Sequence, residues 1–152
     1  MSNTTMQVQA QQTIAENVLK NTLLLIEALK DNYRQYAIRG HQRSIENLNY
    51  TYDTTDSVQS QYHTRKIDEL KSGISPIDYQ VETGKKYHKV IFVDGGGGRS
   101  VHCFVDKNTG GVFKSASWRS PAKGERYNLL LIKDREWLFE NADWSGGYLY
   151  AK

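Results

Sequence analysis

The sequence is poor in the residues that anchor several protein classes. It holds one cysteine, Cys103, and two prolines among 152 residues. A single thiol excludes an intramolecular disulfide framework, and no CxxC pair offers a structural zinc site. A reducing, intracellular setting is the simpler expectation. No apolar run approaches the ~20 residues of a membrane span; the longest, Leu23–Ile26, is four residues. The opening residues, Met1 to Thr5, lack the basic and apolar regions of a signal peptide. These absences lead us to expect a soluble, cytoplasmic chain of one domain, or a small domain with an appendage.

Glycine is scarce in one half only. Of 12 glycines, Gly40 and Gly73 alone precede residue 76, and both prolines, Pro76 and Pro121, lie at or beyond it. Charge divides at the same place. Residues 1–75 carry eight Lys or Arg against eight acids, whereas residues 76–152 hold the whole net charge of +3. Residues 85–126 alone carry nine bases and three acids, a local +6 that can attract phosphate or another acidic surface. The chain therefore reads as a helical region over 1–75 and a small α+β domain with an antiparallel sheet over 76–152, joined near Ser72–Asp78.

Between Gln7 and Arg39 there is neither Gly nor Pro. Ile14, Val18, Leu25, Leu29, Tyr33 and Tyr36 recur at helical steps, with Leu19, Leu23 and Ile26 widening the stripe. The spacing predicts a helix beginning near Thr4 or Thr5 and stopping at Gly40. A second helical segment follows over His41–Lys71. Gly40 and His41 are the expected corner of a hairpin, and Asp53–Ser57 offers a stop and a new cap before Val58. A helical arm of this length predicts pairing with another helix or another chain, hence a homo-oligomer formed through helices.

The second half alternates as strands do. Tyr87–Asp94, Ser100–Asp106 and Gly111–Ser117 form the expected meander, joined by the glycine-bearing turns Gly95–Arg99 and Lys107–Gly110. Gln80–Gly84 offers a short leading strand, Asp134–Asn141 a short helix, and Tyr148–Tyr150 a final strand. Alternation with Val101 and Val105 sends Cys103 into the core and its neighbour His102 to the opposite face.

Few motifs carry chemistry. Gly95–Gly98 with Arg99 and Ser100 fails as a phosphate loop, because Arg replaces Lys, the spacing is wrong, and a strand follows instead of a helix. It reads as a flexible hairpin tip from which Arg99 can touch a phosphate backbone. No nucleophile elbow, zinc-protease motif or paired-carboxylate pattern occurs, which weighs against an enzyme without excluding one, and no metal or cofactor is expected. The informative stretch is Lys114–Asn128. Lys114, Trp118, Arg119, Lys123 and Arg126 place four cations beside an aromatic ring in a segment broken by Pro121 and Gly124. A ring that stacks on a base while cations hold phosphate suits single-stranded nucleic acid, a nucleotide or another phosphorylated ligand.

Several segments, Ser100–Gly110, Val112–Trp118, Ser120–Lys123, Arg126–Leu130 and Ala142–Tyr150, resemble a family of small proteins of tailed bacteriophages, especially marine and cyanobacterial phages. The resemblance covers about residues 78–152. Gly111 stands where an acid is more typical, and the Gly95–Gly98 run is individual to this chain. The resemblance implies a viral product acting in the cytoplasm of a bacterial host or carried in the virion. It implies no activity, so no residue roles transfer. A non-enzymatic accessory protein binding nucleic acid or a phosphorylated ligand is the expected function, with a virion component or a protein docking on a host partner as the alternative.

Overall fold

The computed structural model describes residues 2–52 and 57–150 of the chain, and the architecture is α+β. Helix α1 (Ser2–Tyr52) is followed by α2 (Val58–Lys71), five strands, α3 (Ile132–Asn141) and a terminal 3-10 turn over Gly147–Tyr150. The strands β1 (Asp78–Thr83), β2 (Tyr87–Val93), β3 (Arg99–Asp106), β4 (Gly111–Phe113) and β5 (Tyr127–Asn128) form one antiparallel sheet in sequence order.

The helical hairpin exists, but its corner is not at Gly40. Helix α1 runs straight through that glycine. A Cβ at Gly40 would meet nothing within 4 Å, so the residue serves no close approach. A lone Gly costs about 1 kcal/mol in a helix interior, and tertiary packing covers that cost. Helix α2 runs back along the second half of α1, where His41 and His63 share a hydrogen bond of 2.8 Å between their Nδ1 atoms. The Ser57 hydroxyl caps α2 by accepting from the Ser60 backbone N–H at 3.1 Å; the Asp53–Asp56 part of the anticipated cap lies outside the described residues. Gly73, at φ 96°, ends α2, with its N–H bonded to the Leu70 carbonyl.

The first half of α1 crosses one face of the sheet. Val18, Leu25, Ile26 and Leu29 enter a single core with Tyr79, Val90, Cys103, Val105, Val112, Tyr127 and the C-terminal Leu138 and Tyr148. Two polar ties fix the helix there. The Asn21 amide donates to the Leu129 carbonyl at 3.1 Å, and the Trp144 N–H donates to the Asn32 side chain at 2.9 Å. Trp144 also packs against Tyr33 and Tyr36, with centroids 5.3 and 5.2 Å apart. Those two tyrosines thus hold the C-terminal segment against α1.

Two expectations for the sheet fail on local geometry. Register steps from Val90↔Cys103 to Ile91↔Val101, which leaves His102 as an extra residue in β3. This bulge turns His102 to the same side as Cys103, where it packs against Tyr79 and bonds Tyr148. Tyr148–Tyr150 is a 3-10 turn and not a strand. Gly146, at φ 83°, aims it inward, and the Tyr148 N–H donates to Asp143 at 3.3 Å.

Candidate nucleic-acid interface

The outer face of the sheet carries the cations. Pairing of Lys89 with Phe104, and of Phe104 with Phe113, puts these side chains on the face away from α1. Ile91 and Phe104 are buried yet lie outside the main core, forming a second, thinner apolar layer. Tyr87 packs edge-on to Phe104 and Phe113, at 5.7 and 6.0 Å.

Beyond β4 the chain makes a small hairpin. Ser115 bridges to Pro121, and the Ala122 N–H donates to the Lys114 carbonyl at 2.7 Å. At its tip the Ser117 hydroxyl accepts from the backbone N–H groups of Arg119 and Ser120, both at 3.2 Å. A serine able to bond its own turn explains how so short a tip is fixed. The tip presents Trp118, which is 40% exposed. The Lys89 ammonium lies 4.5 Å from the centre of its ring, and the Arg99 guanidinium 5.3 Å. Lys89 also sits 6.0 Å from the Phe104 ring, so it lies between two aromatic surfaces.

Next to this assembly is a concavity of about 590 Å³, where Lys85, Lys86, Lys89 and Arg119 surround Tyr87 and Phe104. Glu82 is the one acid lining it, and that carboxylate is engaged by Arg99 at 3.6 Å. Among the described residues, Lys85, Lys86, Lys89 and Arg119 form no ion pair. Positive charge on this face is therefore largely uncompensated.

The five residues singled out from sequence divide into two groups. Trp118 and Arg119 face the sheet's outer surface together. Lys114 and Arg126 gather around the C-terminal turn instead. The Lys114 ammonium lies 4.6 Å over the Tyr150 ring. The Arg126 guanidinium donates to the carbonyls of Leu149, Lys123 and Gly124 at 2.8, 3.3 and 3.0 Å, which makes it a brace for that turn. Lys123 is exposed in the connection that leads into β5. Lys89 and Arg99, by contrast, reach the Trp118 ring from other strands. No local pattern shows Lys89; it becomes visible only through the pairing of β2 with β3 and the fold-back of the hairpin.

The glycine loop is closed rather than open. Asp94 accepts from the N–H groups of Gly96 and Gly98, both at 2.9 Å, through one carboxylate oxygen. A Cβ at Gly98 would lie 2.5 Å from the other oxygen. The amides that would hold a phosphate in a phosphate loop thus face the protein's own carboxylate.

On the inner face burial favours the neutral forms of four titratable groups. Burial drives His102 down to about 4, against a small opposing pull from Asp143. Its ring shares a 2.7 Å hydrogen bond with the Tyr148 hydroxyl. Burial also pushes the Cys103 thiol up to about 12 and raises Tyr79 and Tyr148 strongly. A thiol that is fully covered and protonated is not a nucleophile. Among the described residues no three His, Cys, Asp or Glu side chains come together as a metal site, and no helix is long and apolar enough to cross a membrane.

No curated protein and no solved structure matches the chain. One family model does, over residues 1–151, and so takes in the helical half as well as the sheet. The protein belongs to a family of unknown function (DUF7717).

Proposed function

We propose that the protein is a phage-encoded, non-enzymatic accessory factor that binds single-stranded nucleic acid, or a phosphorylated ligand of the same chemistry, on the outer face of its sheet. The observation that carries this reading is the half-exposed Trp118 ring with Lys89 and Arg99 lying on it. With no acid of their own, Lys89 and its neighbours Lys85, Lys86 and Arg119 are available to phosphates, while Trp118 offers a face to a base. One such stack is worth about 1–3 kcal/mol, and backbone neutralisation makes binding depend on salt. The resemblance of residues 78–152 to phage proteins supports placing this activity in the cytoplasm of an infected bacterium.

Fluorescence anisotropy of a labelled oligo(dT) at low salt, with the corresponding mononucleotide as competitor, tests the reading. Measurable binding that weakens as salt rises is expected, and Trp118→Ala should reduce it. Absence of binding at low salt, or affinity untouched by both Trp118→Ala and the double variant Arg119→Ala with Lys123→Ala, sinks it. Competition by the mononucleotide at equal concentration would narrow the ligand to a nucleotide.

A second reading, a virion component or a protein docking on a host partner, draws on the exposed leucines along α1. Its test is the presence of the chain in purified virions or its retention of a defined host protein.

A further inference from the structure

Helix α1 is apolar on two opposite sides. Val18, Leu25 and Leu29 face the core, whereas Leu19, Leu23 and Leu24 point away from it and remain 39%, 48% and 44% exposed. Together with Tyr79 and Val81 of β1 they line a groove of about 710 Å³. The sequence pattern counts Leu19 and Leu23 within the core stripe, yet no element among the described residues covers them. A contiguous apolar strip with a charged rim marks an interaction site.

The rim identifies what fits it. Glu16, Lys20, Leu23, Glu27 and Lys30 recur at three- and four-residue steps along the groove side of the helix. Read in chain order, that face is acid, base, leucine, acid, base. Reversed, it is base, acid, leucine, base, acid. An antiparallel copy laid over it therefore sets Glu16 opposite Lys30 and Leu23 opposite its own mate, and brings Lys20 within one residue of the position facing Glu27, inside the reach of both side chains. Such self-complementarity is what an isologous two-fold contact requires. A parallel copy would instead place every charge against its like. Within each chain Lys30 also pairs with Asp78 at 3.2 Å and with Glu27 at 3.7 Å, so these rim charges are oriented before a second copy arrives and are shared with it.

From this pattern we propose that the groove is the interface of a homodimer, formed by antiparallel pairing of residues 16–30 of α1 about a two-fold axis at Leu23. The dimer closes on itself, because each copy uses the same patch once. It leaves the hairpin with Trp118 uncovered, so two outer sheet faces are presented together. The proposal stands apart from the nucleic-acid reading: a monomer that binds oligonucleotide would overturn only the dimer, and a dimer that does not would overturn only the binding.

Sedimentation equilibrium on the full chain tests it, with circular dichroism to confirm that each variant is folded. The wild type should reach the mass of two chains at micromolar concentration. Leu23→Asp sets two carboxylates face to face and should weaken the dimer by about a hundredfold or more. Lys20→Glu and Glu27→Lys should each weaken it by about tenfold, and the two together should restore it, because the exchanged pair again faces opposite charge. Leu23→Cys should form an intermolecular disulfide on mild oxidation, whereas the wild type, whose only thiol is buried, should not. A wild-type monomer across the accessible concentration range overturns the proposal. So does a folded Leu23→Asp variant that remains a dimer, or a double exchange no better than either single one.

Discussion

The two faces of the sheet use similar residues to opposite ends. Inside, His102, Cys103, Tyr79 and Tyr148 sit close together, and burial holds each in its neutral form. Outside, the cationic side chains of Lys85, Lys86, Lys89, Arg99 and Arg119 gather around Tyr87, Phe104 and Trp118, under cover no thicker than one short hairpin. Both faces are rich in aromatic rings and in groups capable of hydrogen bonding. The difference is depth. A helix laid on one side removes water and holds His102, Cys103, Tyr79 and Tyr148 neutral, while the other side leaves its cationic side chains open to water. Residue type alone therefore does not mark the functional surface; the side of the sheet does.

Four experiments sharpen or break that contrast. The largest effect belongs to the inner face. Leu25 is fully buried beneath the sheet, and Leu25→Ala should cost about 2–5 kcal/mol of unfolding free energy in urea titrations. A loss below 1 kcal/mol, on the order of a surface change, would mean that α1 is not packed as described.

Acid comes next. His102 falls from 6.5 to about 4 in the folded protein. Above pH 6.5 neither state binds the proton, so His102 contributes no pH dependence. As pH falls through 6.5 the unfolded chain takes up a proton that the folded chain refuses, and stability is lost until about pH 4. At roughly 1.4 kcal/mol per unit the whole window is worth about 3 kcal/mol. His41 and His88 are also lowered by burial and act in the same direction. Asp143, the charged neighbour of His102, pulls the other way. Urea midpoints should fall between pH 7 and pH 5, and His102→Gln should flatten the slope whatever its effect at neutral pH. An unchanged slope would place His102 in water.

The outer face should answer in binding and not in stability. Trp118→Ala is expected to weaken oligonucleotide affinity by about 1–3 kcal/mol while leaving the urea midpoint nearly unchanged. A large stability loss with intact affinity would invert the roles of the two faces. The smallest effect lies in the helical hairpin: Ser57→Ala removes the cap of α2 and should cost about 1 kcal/mol, visible as a lower thermal midpoint. No change would show that α2 does not need that cap.

Much of the architecture is legible in the sequence because periodicity and punctuation agree. The unbroken helical spacing up to Arg39 and the alternation of β2 both survive into the structure. The misreadings arise where tertiary contacts override local signals. Gly40 looks like a stop, yet α1 continues because α2 packs alongside it at His41 and His63. Strict alternation separates His102 from Cys103, and a single extra residue in β3 reunites them. Strand β5 is only Tyr127–Asn128, too short for any pattern, and is held by β4 and by Asp134 accepting from the Asn128 N–H at 2.9 Å.

The candidate surface is legible to a similar degree. Trp118 and Arg119 stand out through local composition. Lys89 and Arg99 come from β2 and β3 and join them only by register. Arg126 reads as a free cation, but the carbonyls of Leu149, Lys123 and Gly124 occupy its guanidinium. Chain ends and turns commonly recruit an arginine in this way, and local sequence does not reveal it.

Nucleic acid on the outer sheet face is the proposal on which the contrast between the two faces turns. Ultraviolet crosslinking of oligo(dT) to the full chain at low salt, followed by mass spectrometric mapping of the modified peptides, tests it most directly. The account predicts adducts on Trp118 and Tyr87, lost when unlabelled oligonucleotide competes or salt is raised. Adducts confined to the helical tyrosines Tyr36 and Tyr62, or none at all, would contradict it.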